Sequence, residues 1–288
     1  MADMEQKTDV SGNSDLPEGC THDCGSCGFN CGARAVPQKY EPHAGTNIKK
    51  IIAVVSGKGG VGKSAVTCML ATKLNSLGKK VCILDADVTG PSIPKAFGIA
   101  EQPKGSVAGI VPVSTKSGID MMSLNLLLEN EEMPVAWRGP MVGSLIKQFY
   151  EDVMWGDVDV MLIDMPPGTS DVFLTIMQMI PVDGIVTVSA PQELVHMIVG
   201  KAVNLAKELN VPVIGLVENM AYFTCKHCGE KQYLFGKPSG VEAAKKFDIP
   251  HVAEMPIDPE FRECVDAGNV ETFDVGDTLD DIIAGVLE

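Results

Sequence analysis

No stretch of this chain longer than eleven residues is free of formal charge, whereas a bilayer-crossing helix needs about 20 apolar residues. Basic residues are scarce as well: 23 lysines and arginines face 38 aspartates and glutamates, a formal charge of −15. Such a balance disfavours phosphate backbones and anionic lipid, so no nucleic acid and no membrane is expected as a partner. Residues 1–14 carry acids and no apolar core, the central element of a secretory signal. The expected compartment is therefore cytoplasmic, where nine cysteines read as thiols or metal ligands rather than disulfides. Aromatic residues are few, at 5%, yet 45% hydrophobic residues supply a sizeable core and argue against a largely disordered chain.

The composition changes near Thr46. Residues 1–46 hold Pro, Gly, Asn, acids and four cysteines with almost no aliphatic anchor. They read as an irregular cysteine-rich extension, ordered by whatever its cysteines bind. Residues 47–288 alternate apolar runs with helical patterns. Strands are expected at Ile51–Ser56, Val81–Asp85, Val158–Asp164, Gly184–Ser189, Val213–Glu218 and His251–Met255. Their short Val/Ile-rich runs barely alternate, as in strands buried on both faces. Helices are expected at Lys63–Leu77, Gly139–Glu151, Asp171–Met179, Glu193–Leu209 and Val241–Phe247, while residues 88–135 are the least legible. The fold class is α/β: a doubly wound, mostly parallel sheet with its ligands at the carboxyl ends of the strands.

Directly after the first strand comes Gly57-Lys58-Gly59-Gly60-Val61-Gly62-Lys63-Ser64, a complete Walker A pattern. Its glycines allow tight curvature and let backbone N–H groups face phosphates. Lys63 is placed for the β/γ-phosphates of ATP and the Ser64 hydroxyl for Mg²⁺. Strand before, helix after and every motif position filled argue against an idle glycine turn. Asp85 and Asp87 close the second strand, and Asp164 ends the third. An acid at a strand end is commonly a cap, yet each of these is delivered to the sheet edge of the phosphate loop. Mg²⁺ is usually held through one or two carboxylates and phosphate oxygens. Asp164 is assigned to the Mg²⁺ water shell and Asp87 to the attacking water; Asp85 could share either role.

The loop, with its extra lysine, resembles the deviant Walker A of the MinD/ParA/nitrogenase-iron-protein class. That resemblance implies that Lys58 reaches a partner's nucleotide across a homodimer closed by ATP. Longer stretches are similar to one branch, the Mrp/ApbC-type iron–sulfur cluster carriers. They are Asp85-Ala86-Asp87-Val88-Thr89-Gly90-Pro91-Ser92, Trp137-Arg138-Gly139-Pro140-Met141 and Asp164-Met165-Pro166-Pro167-Gly168-Thr169. Val217-Glu218-Asn219-Met220-Ala221-Tyr222-Phe223 and Glu254-Met255-Pro256-Ile257-Asp258-Pro259 match as well. The resemblance spans roughly residues 48–275 and implies that Asn219 reads the adenine edge, a task suited to an amide's adjacent donor and acceptor. Thr89 departs from the aromatic residue more usual there. Arg138 either bridges subunits or solvates a turn.

Cys225-Lys226-His227-Cys228 supplies two ligands, whereas zinc or a cubane cluster wants four. A twofold axis through the site would bring the second pair from another copy. The motif alone is compatible with zinc, a redox dithiol or a cluster; the family resemblance implies a [4Fe–4S] cluster bridged by Cys225 and Cys228 of two subunits. His227 is read as solvated or supporting, not as a ligand. Cys20, Cys24, Cys27 and Cys31, spaced C-x₃-C-x₂-C-x₃-C, make a complete metal site by themselves, with zinc and [4Fe–4S] both open. The spacing is not that of bacterial ferredoxins, and His22 could replace one thiolate. Cys68 and Cys82 read as buried apolar fillers.

The resemblance therefore implies an ATP hydrolase, expected to be slow, that assembles a [4Fe–4S] cluster at a homodimer interface. It would transfer that cluster to apo iron–sulfur proteins under control of ATP. The competing readings are a ParA/MinD-like positioning ATPase and a P-loop ATPase with structural zinc. The acidic carboxyl terminus, Thr278–Glu288, disfavours the membrane-binding form of the first.

Overall fold

A computed structural model describes residues 39–87, 92–127, 139–168, 171–191 and 195–288. Cys20, Cys24, Cys27, Cys31, His22, Thr89 and Arg138 lie outside the described residues. The strands are β1 (Asn47–Ser56), β2 (Val81–Asp85), β3 (Lys104–Ser106), β4 (Gly109–Val111), β5 (Val113–Ser114), β6 (Asp120–Ser123), β7 (Asp157–Asp164), β8 (Gly184–Ser189), β9 (Val213–Thr224), β10 (Lys231–Gln232) and β11 (His251–Pro256). The helices are α1 (Lys63–Ser76), α2 (Ile93–Ala96), α3 (Gly139–Glu151), α4 (Asp171–Met179), α5 (Val195–Glu208), α6 (Gly240–Phe247), α7 (Pro259–Asp266) and α8 (Asp280–Leu287).

The central sheet runs β11-β9-β8-β1-β7-β2-β6 in parallel, with β5 antiparallel on β6 and β10 antiparallel on the far end of β9. Successive β1 side chains alternate between two buried layers. Ile52 and Val54 join the layer with α1 and α8, while Ile51, Ala53 and Val55 join the one with α3 and α4. Both faces of β1 are thus dry, which is why its sequence shows no polar alternation. Among the described residues, no helix is long and apolar enough to cross a membrane.

Three expectations need correction. β1 begins at Asn47, four residues early, because Asn47–Lys50 already pair with β7 while exposing alternate side chains. β9 continues past Glu218 to Thr224 and forms a hairpin with β10. The domain boundary also moves: residues 39–46, placed with the extension above, are tied to the sheet body. The Tyr40 amide donates to Met179 O at 2.7 Å, His43 Nε2 lies 2.6 Å from Ala108 O, and the Trp155 amide donates to Thr46 Oγ1 at 3.1 Å. Within the poorly legible region, β6 is a fully paired parallel strand on β2.

Candidate nucleotide site and cysteine hairpin

The phosphate loop follows β1 and turns into α1 through Gly60 (φ 79°) and Gly62 (φ 80°), both left-handed. Gly62 is the N-cap of α1 and offers no side chain to the first-turn amides. Those N–H groups, with the positive end of the helix dipole, form an anion cradle. A cavity of about 290 Å³ opens over it, lined by Ser56, Gly59–Ala65, Asp87, Ser92 and Pro167. Lys58 sits half-buried in the same loop, outside that lining.

Three strands deliver the charged groups. Asp85 of β2 and Asp164 of β7 stand side by side in register. Asp164 is fully buried. Its Oδ2 accepts from Lys63 Nζ at 2.7 Å and Ser64 Oγ at 2.6 Å, and its Oδ1 from Thr67 Oγ1 at 2.7 Å. Burial pushes the Asp164 carboxyl above its ordinary range, and Lys63 and the two hydroxyls pull it back. Asp87 Oδ2 lies 3.4 Å from Lys63 Nζ, at the cavity wall.

The geometry separates the two acids that spacing left equivalent. Asp85 is sealed from solvent, accepting from Ser123 Oγ at 2.8 Å and the Asp87 amide at 3.1 Å. Burial, then the neighbouring Asp164 charge, raise its carboxyl to about 8. Asp85 thus braces Asp87, and only Asp87 of the two lines the cavity. Ser64 Oγ and Asp164 Oδ2 form a hard-oxygen pair beside the anion cradle, a donor set suited to Mg²⁺. Thr67 escaped the sequence reading; its one signal is its place one turn after Lys63, on the same helix face.

A second cavity, about 440 Å³, shares Gly62 and Ala65 with the first. Asn219, Met220, Met255–Asp258, Phe261 and Phe273 contribute to its wall. Asn219 sits inside β9 and is only 8% exposed. Its Nδ2 donates to Val61 O at 3.0 Å and its Oδ1 accepts from the Met220 amide at 2.9 Å. The recess over the anion cradle thus adjoins a largely apolar recess walled by an amide, which offers adjacent room for phosphates and for a flat ring.

Five residues beyond Met220, Cys225 opens the β9–β10 hairpin. The Cys225 amide donates to Glu230 O at 3.0 Å and the Gly229 amide to Cys225 O at 2.8 Å, with Gly229 at φ 73°. Cys225 is half-buried and Cys228 exposed. The backbone N–H of Cys228, then that of His227 and the Cys228 side chain, stabilise the Cys225 thiolate and hold its thiol below the ordinary range. This is a ligand-ready knuckle. Among the described residues, no group of three or more His, Cys, Asp or Glu is assembled to hold a metal. Cys68 and Cys82 are sealed in the core, where burial pushes their thiols well up. Cys264, on α7, lies 3.9 Å from Thr272 Oγ1.

The fold and the phosphate loop define a P-loop nucleotide-binding protein. Comparison with known families makes the class specific: residues 47–285 match the family described as ParA, NUBPL iron-transfer P-loop NTPase, and the chain belongs to it. It is 48% identical to an iron-sulfur cluster carrier protein of Clostridium perfringens, over 83% of this chain and 86% of that one. It is 40% identical to a cytosolic Fe-S cluster assembly factor of Kluyveromyces lactis, over 78% of this chain and 82% of that one. Among solved structures, it resembles a nucleotide-binding protein from Archaeoglobus fulgidus in complex with ADP. That likeness has a TM-score of 0.72 and 45% identity, and covers 79% of this chain and 89% of the other.

Proposed function

We propose that this protein binds Mg²⁺–ATP in the paired cavities and carries a [4Fe–4S] cluster on Cys225 and Cys228, delivering it to apo iron–sulfur proteins. The observation that carries the reading is the accessible Cys225–Cys228 turn directly following the strand whose Asn219 and Met220 wall the second cavity. The names of the relatives at 48% and 40% identity support it.

Lys63 is the residue for the β/γ-phosphates, and Ser64 and Asp164 would hold Mg²⁺ directly and through its waters. When bound there, the cation would supply positive charge against that developing on the phosphates. Asp87, at the cavity wall, orients the attacking water and is itself held by Asp85 through its amide. Asn219 reads the base. Hydrolysis at this site is slow and gates cargo release. Two thiolates leave a cubane half-ligated, so a second copy supplies the other pair and Lys58 reaches its nucleotide, which makes the working unit a homodimer. Cys20, Cys24, Cys27 and Cys31 hold a separate cluster or zinc. We place the protein in the cytoplasm, in keeping with the relative named a cytosolic factor.

The test is iron, acid-labile sulfide and zinc on anaerobically purified protein, for wild type and for Cys225→Ala with Cys228→Ala. Iron and sulfide near four per dimer, lost in the variant while ADP binding persists, is the expected result, and any further pool that survives belongs to Cys20, Cys24, Cys27 and Cys31. Zinc without sulfide would overturn the cargo assignment in favour of a structural metal. Lys63→Ala should do the reverse, abolishing ADP binding in calorimetry and sparing iron; ADP bound at wild-type strength would refute the phosphate assignment.

A further inference from the structure

Three described residues other than glycine hold a positive φ: Asn210 (54°), Met220 (58°) and Asp248 (56°). Asn and Asp tolerate the left-handed region, and both of these lie just past helix ends. Met220 has neither excuse. It is an unbranched apolar residue inside β9, and an L side chain there crowds the following carbonyl. The surroundings hold it in place: the Asn219 side chain accepts from its amide, and its own side chain packs, half-buried, against the α1 core layer.

The strand bends there. Pairing between β9 and β11 passes from Glu218↔Glu254 directly to Tyr222↔Pro256, so Asn219–Ala221 bulge opposite one β11 residue. Bulges re-aim a strand and are commonly built next to functional sites. Past the bulge, the Ile257 amide fixes Tyr222 O at 2.7 Å, and the chain then enters the cysteine hairpin. The far end of that segment returns to the same point, because Glu218 accepts from the Ser239 and Gly240 amides at 3.3 and 2.5 Å. Both ends of the cysteine-bearing segment are therefore pinned beside Asn219. Asn219 in turn is pinned to the phosphate loop by Val61 O.

The geometry points to Met220 as a positioning residue: its strained left-handed backbone couples the nucleotide cavity to the Cys225–Cys228 hairpin. This inference rests on the nucleotide reading above. Asn219 Nδ2 has a second hydrogen and Oδ1 a second lone pair, so a base that bonds to the amide adds partners there and pulls the side chain against Val61 O and the Met220 amide. As that acceptor shifts, the contact that holds Met220 at positive φ weakens, and the strand exit turns. Strain kept at such a point is a two-state element that both sites can bias.

The experiment follows iodoacetamide alkylation of Cys225 and Cys228, located by peptide mass, in the reduced full chain with and without Mg²⁺–ADP. The variants are Met220→Gly and Met220→Asn, which relax the backbone, and Met220→Ala and Met220→Leu, which keep it strained. ADP should change the wild-type alkylation rate at least about threefold, in line with ordinary coupling between sites. Ala and Leu should keep that response. Gly and Asn should reduce it to below about 1.5-fold, each compared at an ADP concentration that saturates that variant by its own binding curve. An unresponsive wild type, or Gly and Asn responding as wild type does, overturns the inference. So does an Ala variant that loses the response as fully as Gly, since side-chain packing would then carry it. If ADP fails to bind wild type, the nucleotide reading falls and the coupling with it. A normal alkylation pattern on a chain that never holds iron at these cysteines would refute only the cargo assignment.

Discussion

Replacing Gly62 by alanine separates two reasons for the glycine. At φ 80° the residue is left-handed, and an L residue there costs about 1–2 kcal/mol. A Cβ at Gly62 would also stand 2.2 Å from Asn219 Nδ2, so the amide must leave Val61 O. A buried acceptor stripped of its donor costs about 1–3 kcal/mol more. Gly62→Ala should therefore destabilise the chain by about 2–5 kcal/mol, read from urea unfolding. In an Asn219→Ala background the amide is already gone, so only the backbone cost of about 1–2 kcal/mol remains. The double-mutant cycle should return a coupling of about 1–3 kcal/mol, with both single variants binding ADP more weakly. Costs that add to within about 0.5 kcal/mol would refute the contact as the reason for this glycine.

Two further outcomes follow from the charged groups. Asp85 is raised from 3.8 to about 8 by burial, then by Asp164, so between those values the folded chain binds more protons than the unfolded one. Its contribution to stability is then lost as pH rises from about 4 to about 8. Asp85→Asn should flatten that slope and gain most, relative to wild type, above pH 8, by urea unfolding across the range; an unchanged difference between the two curves would sink the assignment. The Cys225 thiol is held below 9.0 by the hairpin amides, so its alkylation rate should reach half-maximum below that pH. Gly229→Ala, at φ 73°, should distort the knuckle and move the half-point back up; a variant titrating like wild type argues against the amides as the cause.

The legible parts of the chain were those where one physical demand dominates. Strands buried on both faces must be apolar throughout, and so β1, β2, β7 and β8 stood out. A loop that wraps phosphate needs glycines and a lysine at fixed places. The base recess was not legible, because Met255, Ile257, Phe261 and Phe273 come from short segments with no shared period. β6 was hidden by its length and its sequence, Asp-Met-Met-Ser, which carries no β-branched residue. Spacing could not separate Asp85 from Asp87, since a strand alternates its side chains and the choice of wall depends on which neighbour is packed behind. Ser123, contributed by that unseen strand, decides it.

Burial then sorts the chemistry. Cys68 and Cys82 have the same side chain as Cys225, but a thiol sealed in an apolar layer cannot release its proton to a ligand-binding form at neutral pH, and both are pushed well up. Cys225 meets amide hydrogens at the surface and is pushed the other way. On the proposed reading, a Cys225–Cys228 pair with Cys225 half-buried and Cys228 exposed would hold its cargo reversibly, because an incoming thiol can reach the ligands one at a time. Asp164 shows the opposite arrangement: its carboxylate has no exposure and is held by three donors, from Lys63, Ser64 and Thr67, where water screens little. The buried carboxylate lies under the sheet edge and the accessible thiols on a hairpin beyond it, and β9, which carries Asn219 and Met220 in the wall of the second cavity and ends beside Cys225, is the strand that joins that cavity to the hairpin.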